Sequence, residues 1–298
     1  MKQDYHQLLQ PDIMSSVSGL SLISRVIVDG YLSGFNRSRR VGPGLEFSQY
    51  RGYEPGDDMR LLDWKMLARS GRYYIKQAEL DTHISVKFIL DASKSMLHTE
   101  GGLSKMEHAR VLVAALADLA QRQGDAIGLY ALNDNKISSL APAIHKQHLN
   151  RFFYELLQIK SEGKWPENLA TFDKLHNRGN KELLFFITDL YEDASELTEM
   201  VKSLKTSRNE VVVFHIMGKR ELEFDYSGYV IFEDLETGNK LKVDTKDAKS
   251  TYLNALSTEL KMIREFLLSN DIDYHLFDLN EHIAQALQVF LKKRSRIL

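Results

Sequence analysis

The sequence predicts an α/β fold: a doubly wound, mostly parallel sheet with a small N-terminal α+β module and an inserted β-hairpin. Three observations carry that expectation. Short apolar, β-rich runs (86–90, 126–132, 183–188, 210–216 and 274–277) alternate with segments whose apolar residues recur every three or four positions. Strands alternating with helices imply a largely parallel sheet covered on both faces. Two of the runs end abruptly in polar residues, Asp91-Ala92-Ser93-Lys94-Ser95 and Thr188-Asp189, as strand ends beside a ligand crevice do.

The elements follow in order. Ile13, Val17, Leu20, Ile23, Ile27 and Tyr31 form the stripe of an amphipathic helix, which Gly30 and Gly34 are expected to end. Arg37-Ser38-Arg39-Arg40 reads as a solvated cluster paired with later acids rather than an anion site. Asp63 is placed to cap a short helix over 64–69, Gly71 to stop it, and 73–76 reads as a strand. Ser104 and Glu107 predict a capping box for a helix over 105–122, with Met106, Ala109, Val113, Leu116 and Ala120 on one face. Residues 137–141 suit an antiparallel edge, and 148–157 a helix with Leu149, Phe152, Phe153 and Leu156 inward. A loop over 161–168 follows, with Pro166 suited to the first turn of the next helix, and another helix is expected over 195–207. Thr237-Gly238-Asn239 between 229–233 and 240–243 predicts a hairpin, near 221–245. A long helix through Tyr252, Leu256, Leu260, Ile263 and Leu267 and a final helix over 283–291 flank the last strand.

Composition narrows the function classes. The chain has 298 residues, 43% hydrophobic and 27% charged, with a net charge of -2. That balance is typical of a soluble protein and gives no cause to expect nucleic-acid binding or wholesale attraction to acidic membranes. The absence of cysteine excludes disulfides, thiol catalysis and thiolate-bound zinc. No apolar stretch approaches the length of an integral membrane segment, so a cytoplasmic location is expected.

The chemistry concentrates in Asp91-x-Ser93-x-Ser95. One carboxylate and two hydroxyls from one tight loop suit a hard cation, Mg²⁺ or Mn²⁺, with Asp189 as a later acid. The competing structural role is an acid that caps the loop and serines that satisfy backbone groups. A metal-dependent phosphohydrolase is the catalytic alternative, but the second acid of aspartyl-phosphate chemistry is missing. So are a Gly-x-Ser-x-Gly elbow, a phosphate-binding P-loop and a His-Glu-x-x-His pattern.

Asp91-x-Ser93-x-Ser95-Met96, after its strand, resembles the metal-ion-dependent adhesion site of von Willebrand factor A domains. Upstream, Gly44-Leu45-Glu46-Phe47, then Arg51-x-Tyr53-x-Pro55-Gly56-Asp57-Asp58-x-Arg60-x-x-Asp63-Trp64 and Ala68-Arg69, is similar to domain-of-unknown-function family 58. The Glu236-Thr237-Gly238 hairpin fits that family, and the resemblance covers nearly the whole chain. It implies a family-specific module over 1–82 and a von Willebrand factor A-like domain over 83–298. It also implies a non-catalytic, protein-binding adaptor for a MoxR-type AAA+ ATPase. Asp91, Ser93, Ser95 and Asp189 match the metal motif. Tyr53, Asp57, Asp58, Arg60, Asp63 and Trp64 are the candidate partner-binding residues of the module, which in a metal-free scaffold would make the contacts alone. One departure stands out: where a loop threonine is expected as a ligand, the chain has Gly163-Lys164-Trp165, and Thr171 and Thr188 do not match the motif.

Overall fold

The computed structural model describes residues 8–36, 49–54, 59, 62–77, 84–133, 137–145, 147–165, 181–190, 201–207 and 209–294. Two compact units emerge, one of residues 1–32 and 84–298 and one of residues 33–83. The module expected over 1–82 is therefore corrected: its first helix belongs to the core of the sheet unit. That helix is also broken. α1 (Pro11–Met14) ends before Ser15, and α2 (Val17–Asn36) starts afresh. Glycine does not stop α2 at Gly30. A helical glycine costs only about 1 kcal/mol, whereas Leu20, Ile23, Ile27 and Val28 are all buried along the helix. Burial of the apolar stripe wins.

In the smaller unit, β1 (Gln49–Gly52) and β2 (Tyr74–Gln77) pair antiparallel around α3 (Trp64–Ser70). The Asp63 carboxylate accepts from the N–H groups of Lys65 and Met66, at 2.9 and 3.1 Å. Gly71 ends the helix with φ 67°, a conformation that costs glycine nothing.

The larger unit is built on six strands: β3 (Ser85–Asp91), β6 (Ala126–Leu132), β7 (Ile137–Ala143), β8 (Glu182–Thr188), β9 (Asn209–Met217) and β12 (Asp273–Asp278). Their order is β12-β9-β8-β3-β6-β7, with only β7 antiparallel. The chain winds one way from β3 to β7 and the other way from β8 to β12, the doubly wound arrangement expected. Alternation along each strand splits the core in two. Val86, Phe88 and Leu90 join Phe185 and Ile187 on one face, under α2, α4 (Lys105–Arg122), α5 (His148–Gln158) and α8 (Ile283–Arg294). Ile89, Leu184, Phe186, Val211 and Val213 face Val201, Leu204 and the Ile263 and Leu267 side of α7 (Thr245–Ser269). The Phe88 and Phe185 rings stack with centroids 5.4 Å apart, tying β3 to β8 beneath their carboxyl ends.

Three smaller elements surround those ends. β4 (Thr99–Glu100) and β5 (Leu103–Ser104) form a tight turn, and α6 (Lys219–Glu223) leads into the hairpin of β10 (Tyr229–Glu233) and β11 (Lys240–Asp244). The helix expected over 195–207 is described only at its end, where residues 201–204 are helical; the rest, and the helix after Pro166, lie outside the described residues. No helix of the described residues is long and apolar enough to cross a membrane.

α4 starts at the predicted capping box, Ser104 and Glu107 bonding each other's backbone. It also carries His108, whose two ring nitrogens are buried without a partner among the described residues. Burial pulls its pKa down to about 4, so the folded state keeps it neutral while the unfolded chain takes up a proton below the ordinary histidine value. Its share of stability is therefore lost as pH falls from about 6.5 towards 4. His108→Leu is expected to remove about 2 kcal/mol of the loss between pH 7 and pH 5. Urea unfolding at both values measures this, and an unchanged difference would refute it.

Candidate functional site

The carboxyl ends of β3 and β8 lie side by side where the winding reverses, the position at which an open α/β sheet leaves a crevice. Asp91 is the last residue of β3 and Asp189 follows β8 directly. Between them, a 3₁₀ turn over Lys94–Leu97 brings the two serines back over the strand ends. All four predicted metal-site residues meet. The Ser93 and Ser95 hydroxyls are 2.8 Å apart, and Ser95 Oγ donates to Asp189 Oδ1 at 3.1 Å. Asp91 Oδ1 accepts from the Ser93 N–H at 2.9 Å, and Asp91 Oδ2 accepts from Thr188 Oγ1 at 2.8 Å. The cluster is buried, with Asp91 2% exposed.

The two acids differ in their surroundings. Burial, and then the charge of Asp189, push Asp91 up to about 7. Asp189 has a cation of its own: the Lys105 ammonium donates to its Oδ2 at 3.1 Å and to Glu221 Oε1 at 2.9 Å. Beneath them, His215 Nε2 lies 3.0 Å from the Asp189 carbonyl oxygen and its Nδ1 lies 2.8 Å from the Tyr274 hydroxyl. Burial holds His215 neutral, its pKa lowered to about 4. After Asp189 the backbone turns sharply through Leu190, whose φ of 51° is uncommon for a branched side chain. Burial of Leu190 in the core, and its N–H donating to Thr188 Oγ1 at 3.0 Å, hold that conformation.

Lys105, Glu221 and His215 were not anticipated. Lys105 reads in the sequence as the first residue of a capped helix, and nothing local distinguishes it from a solvated lysine. Glu221 lies 116 residues away from it. The loop in which the resemblance leads one to expect a threonine behaves differently again. Its backbone docks on the serine loop, with Lys94 N–H donating to the Gly163 carbonyl at 3.1 Å and Glu162 N–H to the Ala92 carbonyl at 3.0 Å. Trp165 turns into the core, edge-on to Phe186. Thr188 braces Asp91 from within its own strand, and Thr171 lies outside the described residues.

The donor set fits a hard divalent cation through oxygen: the Asp91 and Asp189 carboxylates and two hydroxyls. The described residues hold no group of three or more His, Asp or Glu placed for a metal, so such a site depends on Ser93 and Ser95. Burial, and then the charge of Asp189, raise Asp91, and a bound cation would offset both.

Above Ser95 and Asp189 opens a cavity of about 1140 Å³. Lys105, Glu221 and His98 line it beside them, Tyr226 and Tyr252 form a wall, and the inner face of the hairpin, with Phe232 and Val243, closes over it. The opposite face of the hairpin exposes Tyr229 and Ile231.

In the smaller unit, the candidate partner-binding residues divide. Tyr53 is half-buried against Tyr73, ring centroids 6.2 Å apart, and Asp63 is buried as the cap of α3. Trp64 is 64% exposed. Asp57, Asp58 and Arg60 lie outside the described residues.

Residues 49–259 match the model of the family described as "Protein of unknown function DUF58". The uncharacterized protein Rv1480 of Mycobacterium tuberculosis (strain ATCC 25618 / H37Rv) is 22% identical over 230 residues, 76% of this chain and 72% of that protein. Among solved structures, the conserved hypothetical protein BatB from Bacteroides thetaiotaomicron is similar with a TM-score of 0.46 and 15% identity, over 72% of this chain and 99% of that one. The SpRpn10 VWA domain is similar with a TM-score of 0.40 and 10% identity, over 69% of this chain and 94% of that one.

Proposed function

The chain belongs to the DUF58 family, and we propose that it is a cytoplasmic, non-catalytic adaptor that docks a protein partner through a divalent cation at the carboxyl edge of its sheet. The observation that carries this reading is the meeting of Asp91, Ser93, Ser95 and Asp189, of which Ser95 and Asp189 face a cavity. Mg²⁺ or Mn²⁺ there would supply a positive charge able to accept a partner's carboxylate. The chain's own part is to hold the oxygens together. Thr188 and the Ser93 N–H orient Asp91, Ser95 orients Asp189, and the buried surroundings strengthen each interaction. The exposed Tyr229 and Ile231 on the hairpin extend the contact surface beyond the cation, since aromatic and apolar anchors dominate protein interfaces. The partner class we propose is a MoxR-type AAA+ ATPase.

Biolayer interferometry between the full chain and a purified MoxR-type ATPase tests the reading. Chelation with EDTA, or Asp91→Ala in the presence of Mg²⁺, is expected to weaken binding by at least about tenfold. Equal affinity in all conditions would sink docking through a metal. It would favour a metal-free scaffold, for which the exposed Trp64 on α3 is the supporting observation; Trp64→Ala would then abolish the signal.

A further inference from the structure

A lysine inside a site built for a cation calls for an explanation. The Lys105 side chain is 3% exposed, and its ammonium has two anions, Asp189 at 3.1 Å and Glu221 at 2.9 Å. Both Asp189 oxygens are engaged: Oδ1 accepts from Ser95 and Oδ2 from Lys105. Glu221 is itself fixed. Its Oε2 accepts from the Gly218 N–H at 2.6 Å, and its carbonyl accepts from the Tyr252 hydroxyl at 2.9 Å. Gly218 and Glu221 begin the segment that leads from β9 through α6 into the hairpin. One ammonium therefore links the later acid of the site to the insertion that covers it.

We propose that Lys105 is a built-in competitor for the divalent cation, and that Glu221, by sharing its ammonium, sets how strongly it competes. The inference rests on the metal half of the proposed function. A fixed positive charge on Asp189 opposes a second cation in the same cluster in two ways. It repels the incoming ion across a short, poorly screened distance, and it holds a carboxylate the ion would otherwise use. Glu221 offsets both effects by drawing part of the ammonium's field to itself. The metal affinity of the site is then written partly in the insertion and not only in the Asp-x-Ser-x-Ser loop. Two substitutions should move it in opposite directions, which simple damage to the site would not do. Lys105→Met keeps the length and apolar stem of the side chain and removes the charge. Glu221→Gln keeps an oxygen for the Gly218 N–H, removes the balancing charge and leaves the ammonium to Asp189.

Mn²⁺ alone, titrated into the full chain and its two variants and followed by electron paramagnetic resonance of the free ion, tests this. Lys105→Met is expected to bind Mn²⁺ at least about tenfold more tightly than the unmodified chain, and Glu221→Gln at least about threefold more weakly. Where the unmodified chain shows no binding up to about millimolar Mn²⁺, Lys105→Met must gain it. Equal affinities in all three proteins, weaker binding in Lys105→Met, or no binding in any of them would overturn the inference. If Lys105→Met does not fold, Glu221→Gln decides by the sign of its change, its side chain being partly exposed and its loss tolerable. No partner protein is present in the titration. Failure of docking to an ATPase therefore leaves its outcome untouched, and the two readings fail separately.

Discussion

Without divalent cations at pH 7 to 8, Asp91→Asn is expected to be more stable than the unmodified chain by about 2–4 kcal/mol. The sign follows from where the proton sits. Burial and Asp189 raise Asp91 from the ordinary carboxylate range to about 7 in the folded state. Between about pH 4 and 7 the folded protein therefore binds a proton that the unfolded chain has lost, and stability falls as pH rises through that window. Asparagine carries no charge to desolvate, and its oxygen can still accept from the Ser93 N–H. The gain should be near zero at pH 4 and reach its full size above pH 7. His108 and His215, held neutral by burial, pull the other way over nearly the same range. The unmodified chain should thus show a flattened pH profile, and Asp91→Asn a steep one that falls only on the acid side. Saturating Mg²⁺ should close the gap by stabilising the unmodified chain alone. Urea unfolding at several pH values, with and without Mg²⁺, measures all of this. A constant difference between the two proteins from pH 4 to 8 would refute the argument.

Lys87→Ala should cost about 3–5 kcal/mol, because it removes the ammonium that meets a buried carboxylate. Lys87 lies in the middle of β3, among the most apolar residues of the chain, and its ammonium meets Glu182 Oε1 of β8 at 2.5 Å with both side chains 3% exposed. The pair joins adjacent parallel strands, with Glu182 at the end of β8 away from Asp91. Its removal as a pair has a different expected result. Lys87→Met with Glu182→Leu replaces two desolvated charges by apolar volume and should lie within about 1 kcal/mol of the unmodified chain. A double-mutant cycle by urea denaturation gives both numbers. If the double variant loses as much as the single, the site needs the charges themselves and the reasoning fails.

The same pair shows how much of this fold was legible in advance. Lys87 did not spoil the strand in the sequence, because Val86, Phe88, Ile89 and Leu90 outweigh one polar position. The α4 capping box, the hairpin and the six strands of the large sheet follow from local periodicity and end signals, and the structure places them within a few residues of expectation. α2 is the exception. Gly30 does not interrupt it, since burial of Leu20, Ile23 and Ile27 outweighs a local cost, and the helix ends at Asn36, two residues past Gly34. The same burial moved residues 1–32 out of the expected N-terminal module.

The sequence by itself determined the strand–helix alternation and the Asp-x-Ser-x-Ser loop with its later acid. Both are local, since propensity, period and motif are written within a dozen residues. Tertiary structure alone decided which charges meet there. Lys105, Glu221 and His215 come from three separate elements, and their chemistry arises only once folding removes water and sets them within hydrogen-bond reach of Asp189 or one another. Trp165 makes the same point in reverse. The resemblance leads one to expect a ligand threonine near its place, and its apolar surface takes it into the core.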